Sequence, residues 1–234
     1  MTDPVLHRYD NRQDLAEALA TGVAAVLAGA IATRGSATLA VSGGSTPKLF
    51  LEHLGRAEID WSQVEVTLVD ERWVPETSER SNLSLVRRHL MQGPAEKAHL
   101  LGFYTGHDTP EEAIEELRHR YCRLSRPFDV AVLGMGTDGH TASFFPGAGN
   151  LDELLHPQGH DEVAAVHAPG AGEPRITLTL PMLVDARFLA LHIEGEEKRT
   201  VLDAALAGSD VSEMPVRAIL GATRAEPLNV FWAP

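Results

Sequence analysis

Apolar residues near the start of the chain recur at steps of three and four positions. This spacing is typical of a helix that buries one face, and Asn11 stands where a helix N-cap is expected. We therefore predict an amphipathic helix over residues 11–33. Its apolar face comprises Leu15, Leu19, Val23, Val26, Leu27 and Ala30.

Short apolar runs alternate with helical patterns along the rest of the chain. In the helix predicted over residues 46–54, Thr46 is placed to cap the N-terminus and Pro47 to occupy the first helical position. A Gly/Pro-rich stretch over residues 137–149 is too irregular for a helix. The predicted strands lie at 37–44, 64–70, 99–104, 128–136, 161–169, 175–180, 187–195, 216–220 and 228–232, and further helices at 81–91, 109–124 and 196–206.

Nearly continuous apolar strands that alternate with helices are typical of an α/β fold. We predict a Rossmann-like, mostly parallel sheet with helices on both faces, in which ligands bind at the carboxyl ends of the strands. No repeat of about 20 to 50 residues and no low-complexity linker divides the sequence. The chain is therefore predicted to form a single domain over residues 1–234.

The 234 residues include 20 Lys and Arg against 33 Asp and Glu, for a net charge of -13. A field of this sign repels phosphate groups, so we expect no nucleic-acid partner and no anionic membrane surface. An anionic ligand must then be held by a local cationic pocket. The expected assembly state is a monomer or a weak dimer.

The sequence holds one cysteine, Cys122, which cannot form an internal disulfide bond and so favours a reducing compartment. No His/Cys/Asp/Glu spacing suits a metal site and no GxSxG elbow is present, so we expect neither a metal nor a serine nucleophile. The first residues lack the basic and apolar segments of a signal peptide, and no run of about 18 apolar residues occurs. These features favour a cytoplasmic protein.

The segment SGGSTP at 42–47 follows the strand predicted at 37–44. Gly43 and Gly44 allow a positive φ and a close approach of the backbone, and the next helix offers unpaired N–H groups to an anion or oxyanion. The alternative is a tight turn before a well-capped helix.

Asp70, Glu71 and Arg72 leave the next strand together, in the segment VDERWVPETSERSN at 69–82. Three charges at the end of a buried strand are more than a turn requires. The alternative is that the acidic residues cap the next element while Arg72 balances their charge. Asn82 is either the N-cap of the next helix or a ligand contact.

The segment GMGTDGHTASFFPG at 134–147 follows a third strand and matches the pattern GxGxxG. We reject a dinucleotide site, because Pro146 and Gly147 prevent the long helix that would carry a pyrophosphate. The glycines instead shape a loop that presents Asp138 and His140. A histidine between Gly139 and a threonine is poorly explained by packing, which makes His140 a candidate catalytic residue.

Two cations complete the candidate site. Arg175 opens the strand RITLTL, and Lys198 lies at the start of a helix, where its charge opposes the helix dipole. A lysine at the start of a helix is unfavourable for helix stability but well placed to bind an anion. The alternative for Lys198 is a solvated lysine beside Glu196 and Glu197.

Together, the motifs SGGSTP, VDERWVP with SN, GMGTDGHTASFFPG, PRITLTLP and GEEK resemble those of 6-phosphogluconolactonases, in the same order and over nearly the whole chain. That family is similar to glucosamine-6-phosphate deaminases and ribose-5-phosphate isomerases, which share a Rossmann-like sheet without a dinucleotide. The deaminases have a tyrosine where this chain has Arg72, and Asn-Glu-Pro where it reads Phe144, Phe145 and Pro146. Both differences favour the lactonase.

The resemblance implies hydrolysis of 6-phospho-D-glucono-1,5-lactone, a step of the oxidative pentose phosphate pathway, without a cofactor. It implies His140 as the general base, and Asp138 as the residue that orients it or stabilises its charged form. The Gly43 and Gly44 amides would bind the lactone carbonyl or its oxyanion. Arg175 and Lys198 would hold the phosphate, and Arg72 would be a third cation that contacts either the phosphate or the sugar hydroxyls. The implied substrate-binding residues are Gly43, Gly44, Ser45, Thr46, Asp70, Arg72, Asn82, Arg175 and Lys198.

Two other functions remain open from the residues. The first is an amino-sugar-phosphate deaminase or isomerase, in which Asp70 would shuttle a proton at C2 and His140 would assist ring opening. The second is a non-catalytic sugar-phosphate sensor, which would normally carry a helix-turn-helix segment. This chain is predicted to begin its first strand by about residue 37, which leaves little room for such a segment.

Overall fold

The computed structural model describes residues 3–234. Seven strands form a parallel sheet in the order β1-β10-β9-β6-β2-β3-β5, and three form a small antiparallel sheet in the order β4-β8-β7. The predicted α/β class with a mostly parallel sheet is confirmed. The strands are β1 Val5–Arg8, β2 Ala37–Val41, β3 Val64–Leu68, β4 Asp70–Arg72, β5 His99–Leu101, β6 Val130–Leu133, β7 Val163–Val166, β8 Arg175–Leu178, β9 Phe188–Glu194 and β10 Asn229–Ala233.

Helices connect the strands. The longer ones span eight or more residues, and the shorter ones only four to seven. The helices are α1 Arg12–Arg34, α2 Lys48–Leu54, α3 Asn82–His89, α4 Ile114–Tyr121, α5 Leu151–Leu154, α6 Leu180–Val184, α7 Glu196–Ala207 and α8 Val216–Leu220.

Strand order fixes where a ligand is expected to bind. From β2 the chain adds β3 and β5 on one side, and it later adds β6, β9 and β10 on the other. The direction of winding therefore reverses between β2 and β6, which pair directly. In an open parallel sheet, the loops at the carboxyl ends of two such strands diverge and leave a crevice.

Helix α1 confirms the sequence prediction closely. The Asn11 side chain accepts a hydrogen bond from the N–H of Asp14, and Gly35, with φ of 79°, ends the helix. By length and composition the helix could cross a membrane, but its apolar stripe packs in the core of this protein. The buried residues of the stripe are Leu15, Ala16, Leu19, Ala20, Val23, Leu27 and Ala30.

Several predicted elements are wrong, each for a local reason. Strand β1 was not predicted, because four residues at a half-exposed sheet edge show no apolar run. Residues 216–220 form helix α8 instead of a strand, since Pro215 precedes them with φ of -60°, a helical value. Thr46 is not the cap of α2, because Pro47 occupies the N-cap and no side chain caps that helix.

The antiparallel sheet changes the environment of the second charged segment. Asp70–Arg72 were predicted to leave a strand as a loop, but they form strand β4 and pair with β8. In this register Arg72 lies opposite Arg175, and Asp70 lies opposite Thr177. The small sheet thus carries two cations to the carboxyl edge of the large one.

Candidate active site

A cavity of about 280 Å³ lies at the carboxyl ends of β2 and β6, where the strand order reverses. All but one of the residues predicted from sequence line it. The exception is Asp138, which stands behind His140 and touches its ring. The predicted residues in the wall are Gly43, Gly44, Ser45, Thr46, Asp70, Arg72, Asn82, His140, Arg175 and Lys198.

The imidazole of His140 is held on one side by Asp138. Oδ1 of Asp138 lies 2.5 Å from Nδ1 of His140 and also accepts the backbone N–H of His140 at 3.1 Å. Because a carboxylate only accepts, we assign the ring proton to Nδ1, which leaves Nε2 as the basic nitrogen. Within residues 3–234, Nε2 has no hydrogen-bond partner.

Two effects act on the Asp138 carboxyl in opposite directions. Partial burial raises its pKa, whereas the hydrogen bond from His140, the charge of that ring and a backbone N–H lower it. The net pKa of Asp138 is below its usual value, so the group is ionised near neutral pH. The His140 ring also stacks on Phe145, with centroids 4.3 Å apart and planes at 28°.

The loop glycines permit this contact. A Cβ on Gly136 would lie 2.2 Å from Nδ1 of His140, and a Cβ on Gly139, whose φ is 77°, would meet Met214 at 2.9 Å. Only a four-residue helix, α5, follows the loop before β7. The glycine pattern therefore forms a histidine-presenting loop, which agrees with our rejection of a dinucleotide motif.

Arg72 and Arg175 form a cationic wall on the antiparallel sheet. Both have a buried Nε with no hydrogen-bond partner among the described residues, and they face each other across β4 and β8. Like charges placed directly opposite destabilise a strand pair. Burial lowers the pKa of Arg175, Asp70 raises it, and Arg72 lowers it further, although a guanidinium stays charged. A bound anion would relieve this repulsion.

Asp70 and Glu71 have separate roles. Asp70 lines the cavity, where it accepts a hydrogen bond from Ser143 Oγ at 2.6 Å and lies 3.7 Å from Nη1 of Arg175. Glu71 is fully buried and accepts the N–H groups of Asn82 at 2.7 Å and Leu83 at 2.8 Å. Burial raises the pKa of Glu71, and these hydrogen bonds oppose the rise. The capping alternative is therefore correct for Glu71.

Asn82 contributes its side chain to the cavity. The N-cap of α3 is Ser81, so Asn82 is not the cap. Its Nδ2 donates to the carbonyl of Asp70 at 3.0 Å, and its Oδ1 would be 1.9 Å from a Cβ on Gly43. Gly43 is thus required because the Asn82 amide occupies the space that a side chain would fill.

Lys198 and the loop before α2 complete the wall. Lys198 is half-buried and lines the cavity, which favours a ligand-facing residue over a solvated surface lysine. Burial lowers the pKa of Lys198, while Glu194 and Glu197 raise it. Across residues 43–46 the backbone N–H groups have no acceptor within the described chain. Four consecutive free donors and a partly buried ammonium make this side of the cavity strongly favourable for anionic oxygens.

Other wall residues were not predicted. In the sequence, Phe145 is notable only as a departure from the deaminase motif, and His192 lies within the apolar run of β9, where it resembles a core residue. A histidine in an otherwise apolar strand was the available signal for His192. The unpredicted wall residues are Ser42, Pro47, Gly134, Met135, Gly136, Ala142, Phe145, Gly170 and His192.

Comparison with known proteins agrees with this arrangement. Residues 10–232 match the family described as glucosamine-6-phosphate isomerases/6-phosphogluconolactonase, and the chain belongs to that family. A 6-phosphogluconolactonase from Rhizobium meliloti is 52% identical over 98% of both chains, and one from Mesorhizobium japonicum is 50% identical over 97% of this chain and 94% of its own.

Solved structures give the same result. The crystal structure of a 6-phosphogluconolactonase from Shewanella baltica is 40% identical, with a TM-score of 0.96 over 100% of this chain and 99% of its own. A monomeric glucosamine-6-phosphate deaminase is 15% identical with a TM-score of 0.76, a likeness of fold alone.

Proposed function

We propose that this protein hydrolyses 6-phospho-D-glucono-1,5-lactone to 6-phosphogluconate, with His140 as general base. One observation carries the proposal. Nδ1 of His140 is held by the ionised carboxylate of Asp138, and Nε2 of the same ring has no partner among the described residues. The cavity that His140 lines also contains Arg72, Arg175 and Lys198. The shared name of the relatives in Rhizobium, Mesorhizobium and Shewanella supports the choice of substrate.

The reaction needs one proton acceptor that later returns the proton. A water molecule beside Nε2 of His140 loses a proton as its oxygen attacks C1 of the lactone, and the carbonyl oxygen becomes an oxyanion. The oxyanion collapses, the bond from C1 to the ring oxygen breaks, and the imidazolium protonates that oxygen. Asp138 holds the ring and stabilises the imidazolium, so no covalent intermediate is required.

Phosphate recognition follows from the cationic side of the cavity. We assign Arg175 and Lys198 to the phosphate, with Arg72 as a third cation beside them. The free N–H groups of residues 43–46 outnumber the two lone pairs of a carbonyl oxygen, so the loop has donors for phosphate oxygens as well. The attraction of these local charges for the phosphate must exceed the long-range repulsion that arises from the net charge of -13.

The same proposal sets the biological context. We place the activity in the oxidative branch of the pentose phosphate pathway, in the cytoplasm, as a monomer or a weak dimer. Neither a nucleic acid nor a membrane is needed as a partner. Oxidation of a sugar 6-phosphate at C1 is the class of reaction that supplies such a lactone.

The test is an assay of purified protein on freshly prepared 6-phosphogluconolactone against a blank without protein, because the lactone also hydrolyses in water. Glucosamine 6-phosphate is assayed in parallel for ammonia release. We expect lactone hydrolysis well above the blank and no ammonia. Ammonia release without lactone hydrolysis would replace the proposal by a deaminase, and activity on neither substrate would contradict both.

A further inference from the structure

His192 is a buried histidine that the proposed reaction does not use. It lies near the carboxyl end of β9, is 2% exposed and lines the same cavity as His140. Its ring packs edge-on against Phe50 of α2, with centroids 6.1 Å apart and planes at 82°. Packing alone would be served by an aliphatic residue, as at the neighbouring positions of the strand.

The two ring nitrogens of His192 have different surroundings. Nε2 lies 3.2 Å from Oε1 of Glu194. The other oxygen of that carboxylate forms an ion pair with Nε of Arg12 at 3.5 Å, and the charge of Glu194 raises the pKa of Lys198. Nδ1 is buried and has no hydrogen-bond partner among residues 3–234. A buried polar atom without a partner is costly, so such atoms usually meet a ligand or a water molecule.

The tautomer follows from the partner of Nε2. A carboxylate accepts hydrogen bonds and cannot donate them, so Nε2 carries the proton. In the neutral ring, Nδ1 is then an acceptor. A phosphate dianion offers only acceptors, which makes it an unsuitable partner for this atom, whereas a sugar hydroxyl offers a donor.

We propose that His192 is a specificity-determining residue whose Nδ1 accepts a hydrogen bond from one hydroxyl group of the substrate. The identity of the ligand as a phosphorylated sugar acid rests on the proposed function. His192 then separates hydroxyl recognition from phosphate recognition, which belongs to Arg175 and Lys198. A site that pairs a buried group with a hydroxyl rejects analogues that lack it, because the group is left unpaired.

The test is a cycle of binding measurements on the product. Calorimetry gives the Kd of 6-phosphogluconate and of its 2-, 3- and 4-deoxy analogues for the native protein and for His192→Leu. In the native protein we expect one deoxy analogue to bind about tenfold more weakly than the parent compound. In His192→Leu that difference should shrink to about twofold or less, because the acceptor is gone.

Two further variants separate Nδ1 from Nε2. His192→Asn keeps an acceptor close to the position of Nδ1, and His192→Gln keeps a donor close to the position of Nε2. We expect the Asn variant to retain discrimination and the Gln variant to lose it. Discrimination that is kept by the Gln variant and lost by the Asn variant would overturn the proposal, because hydroxyl recognition would then depend on the contact between Nε2 and Glu194. Equal discrimination by native protein and His192→Leu would also overturn it.

Folding and catalysis serve as separate readouts. His167→Leu is the matched control, because His167 is exposed, pairs with Glu111 and lies outside the cavity. If His192→Leu does not fold, the comparison of the Asn and Gln variants decides the matter. If native protein hydrolyses the lactone but binds all deoxy analogues as tightly as 6-phosphogluconate, only this inference is contradicted. If it discriminates against one deoxy analogue but does not hydrolyse the lactone, only the proposed function is contradicted.

Discussion

Strands β2 and β6 lie side by side, and their two ends differ sharply. At the amino end Asp129 is 4% exposed and accepts the N–H of Thr38 at 3.0 Å, while Arg34 and Arg187 lie against its other oxygen. Thr38 Oγ1 in turn receives the N–H of Asp129 at 3.1 Å. Each buried charge there has a partner within the chain.

At the carboxyl end, by contrast, several buried polar atoms have no hydrogen-bond partner among the described residues. Arg72, Arg175 and His192 each keep a buried nitrogen without a hydrogen bond within residues 3–234, and the backbone N–H groups of residues 43–46 are free as well. Polar groups that satisfy one another stabilise the fold, whereas unpartnered ones that line a cavity are available to a ligand. The amino end is therefore structural and the carboxyl end functional.

The largest effect is expected at the functional end. His140→Asn should lower kcat by about 10²- to 10⁴-fold with little change in KM, because it removes the proton acceptor but no group that we assign to substrate binding. Steady-state kinetics on 6-phosphogluconolactone measure this, with His167→Asn as the control. A fall of less than about threefold in kcat would move the base to another residue, with Asp70 or Asp138 next.

The structural end should respond in the opposite way. Asp129→Ala leaves the Thr38 N–H and two guanidinium groups without their carboxylate, so we expect the free energy of unfolding to fall by about 1–3 kcal/mol. Urea denaturation measures this loss. At a temperature where the variant stays folded, kcat/KM should remain within about twofold of the native value. A large kinetic defect in folded protein would contradict the separation of the two ends.

The smallest effect concerns protons at Lys198. Burial lowers its pKa in the free protein, and a bound anion favours the ammonium, so binding should raise that pKa and take up protons in the alkaline range below about 10.4. Calorimetry of 6-phosphogluconate binding in two buffers of different ionisation enthalpy counts these protons. Lys198→Arg should abolish the uptake, because a guanidinium does not titrate there.

Anion binding at Lys198 should be accompanied by proton uptake and not by proton release. In the window between the lowered pKa and the ordinary lysine value, the free native protein holds fewer protons than the unfolded chain, so this group's contribution to stability rises with pH. Anion binding must therefore return a proton to Lys198. Proton release on binding, or unchanged uptake in Lys198→Arg, would show that Lys198 does not face the anion.

Much of the fold could be predicted because the central strands are buried on both faces. Strands β2, β3 and β6 lie within mostly apolar stretches of the sequence, and candidate site residues follow shortly after each of them. Since the carboxyl ends of parallel strands meet at one edge, the segments that carry Gly43, Asp70 and His140 had to converge. Local patterns were sufficient for this part of the site.

The remainder depends on contacts between distant segments. No local pattern indicates that β4 pairs with β8, so the opposition of Arg72 and Arg175 could not be predicted. His192 stands in an apolar run, and only its unpaired nitrogen separates it from a core histidine. Glu71 was ambiguous because both a capping carboxylate and a ligand contact fit the end of a strand.

The most direct test of the account compares two substrates. It is the ratio of kcat/KM for 6-phosphogluconolactone to that for glucono-1,5-lactone, measured in native protein, Arg175→Ala and Lys198→Ala. Removal of either cation takes a charge-assisted partner from the phosphate, so we expect the ratio to fall about 10- to 150-fold, equivalent to about 1.5–3 kcal/mol. A ratio that stays at the native value in both variants would contradict the claim that these two cations hold the phosphate.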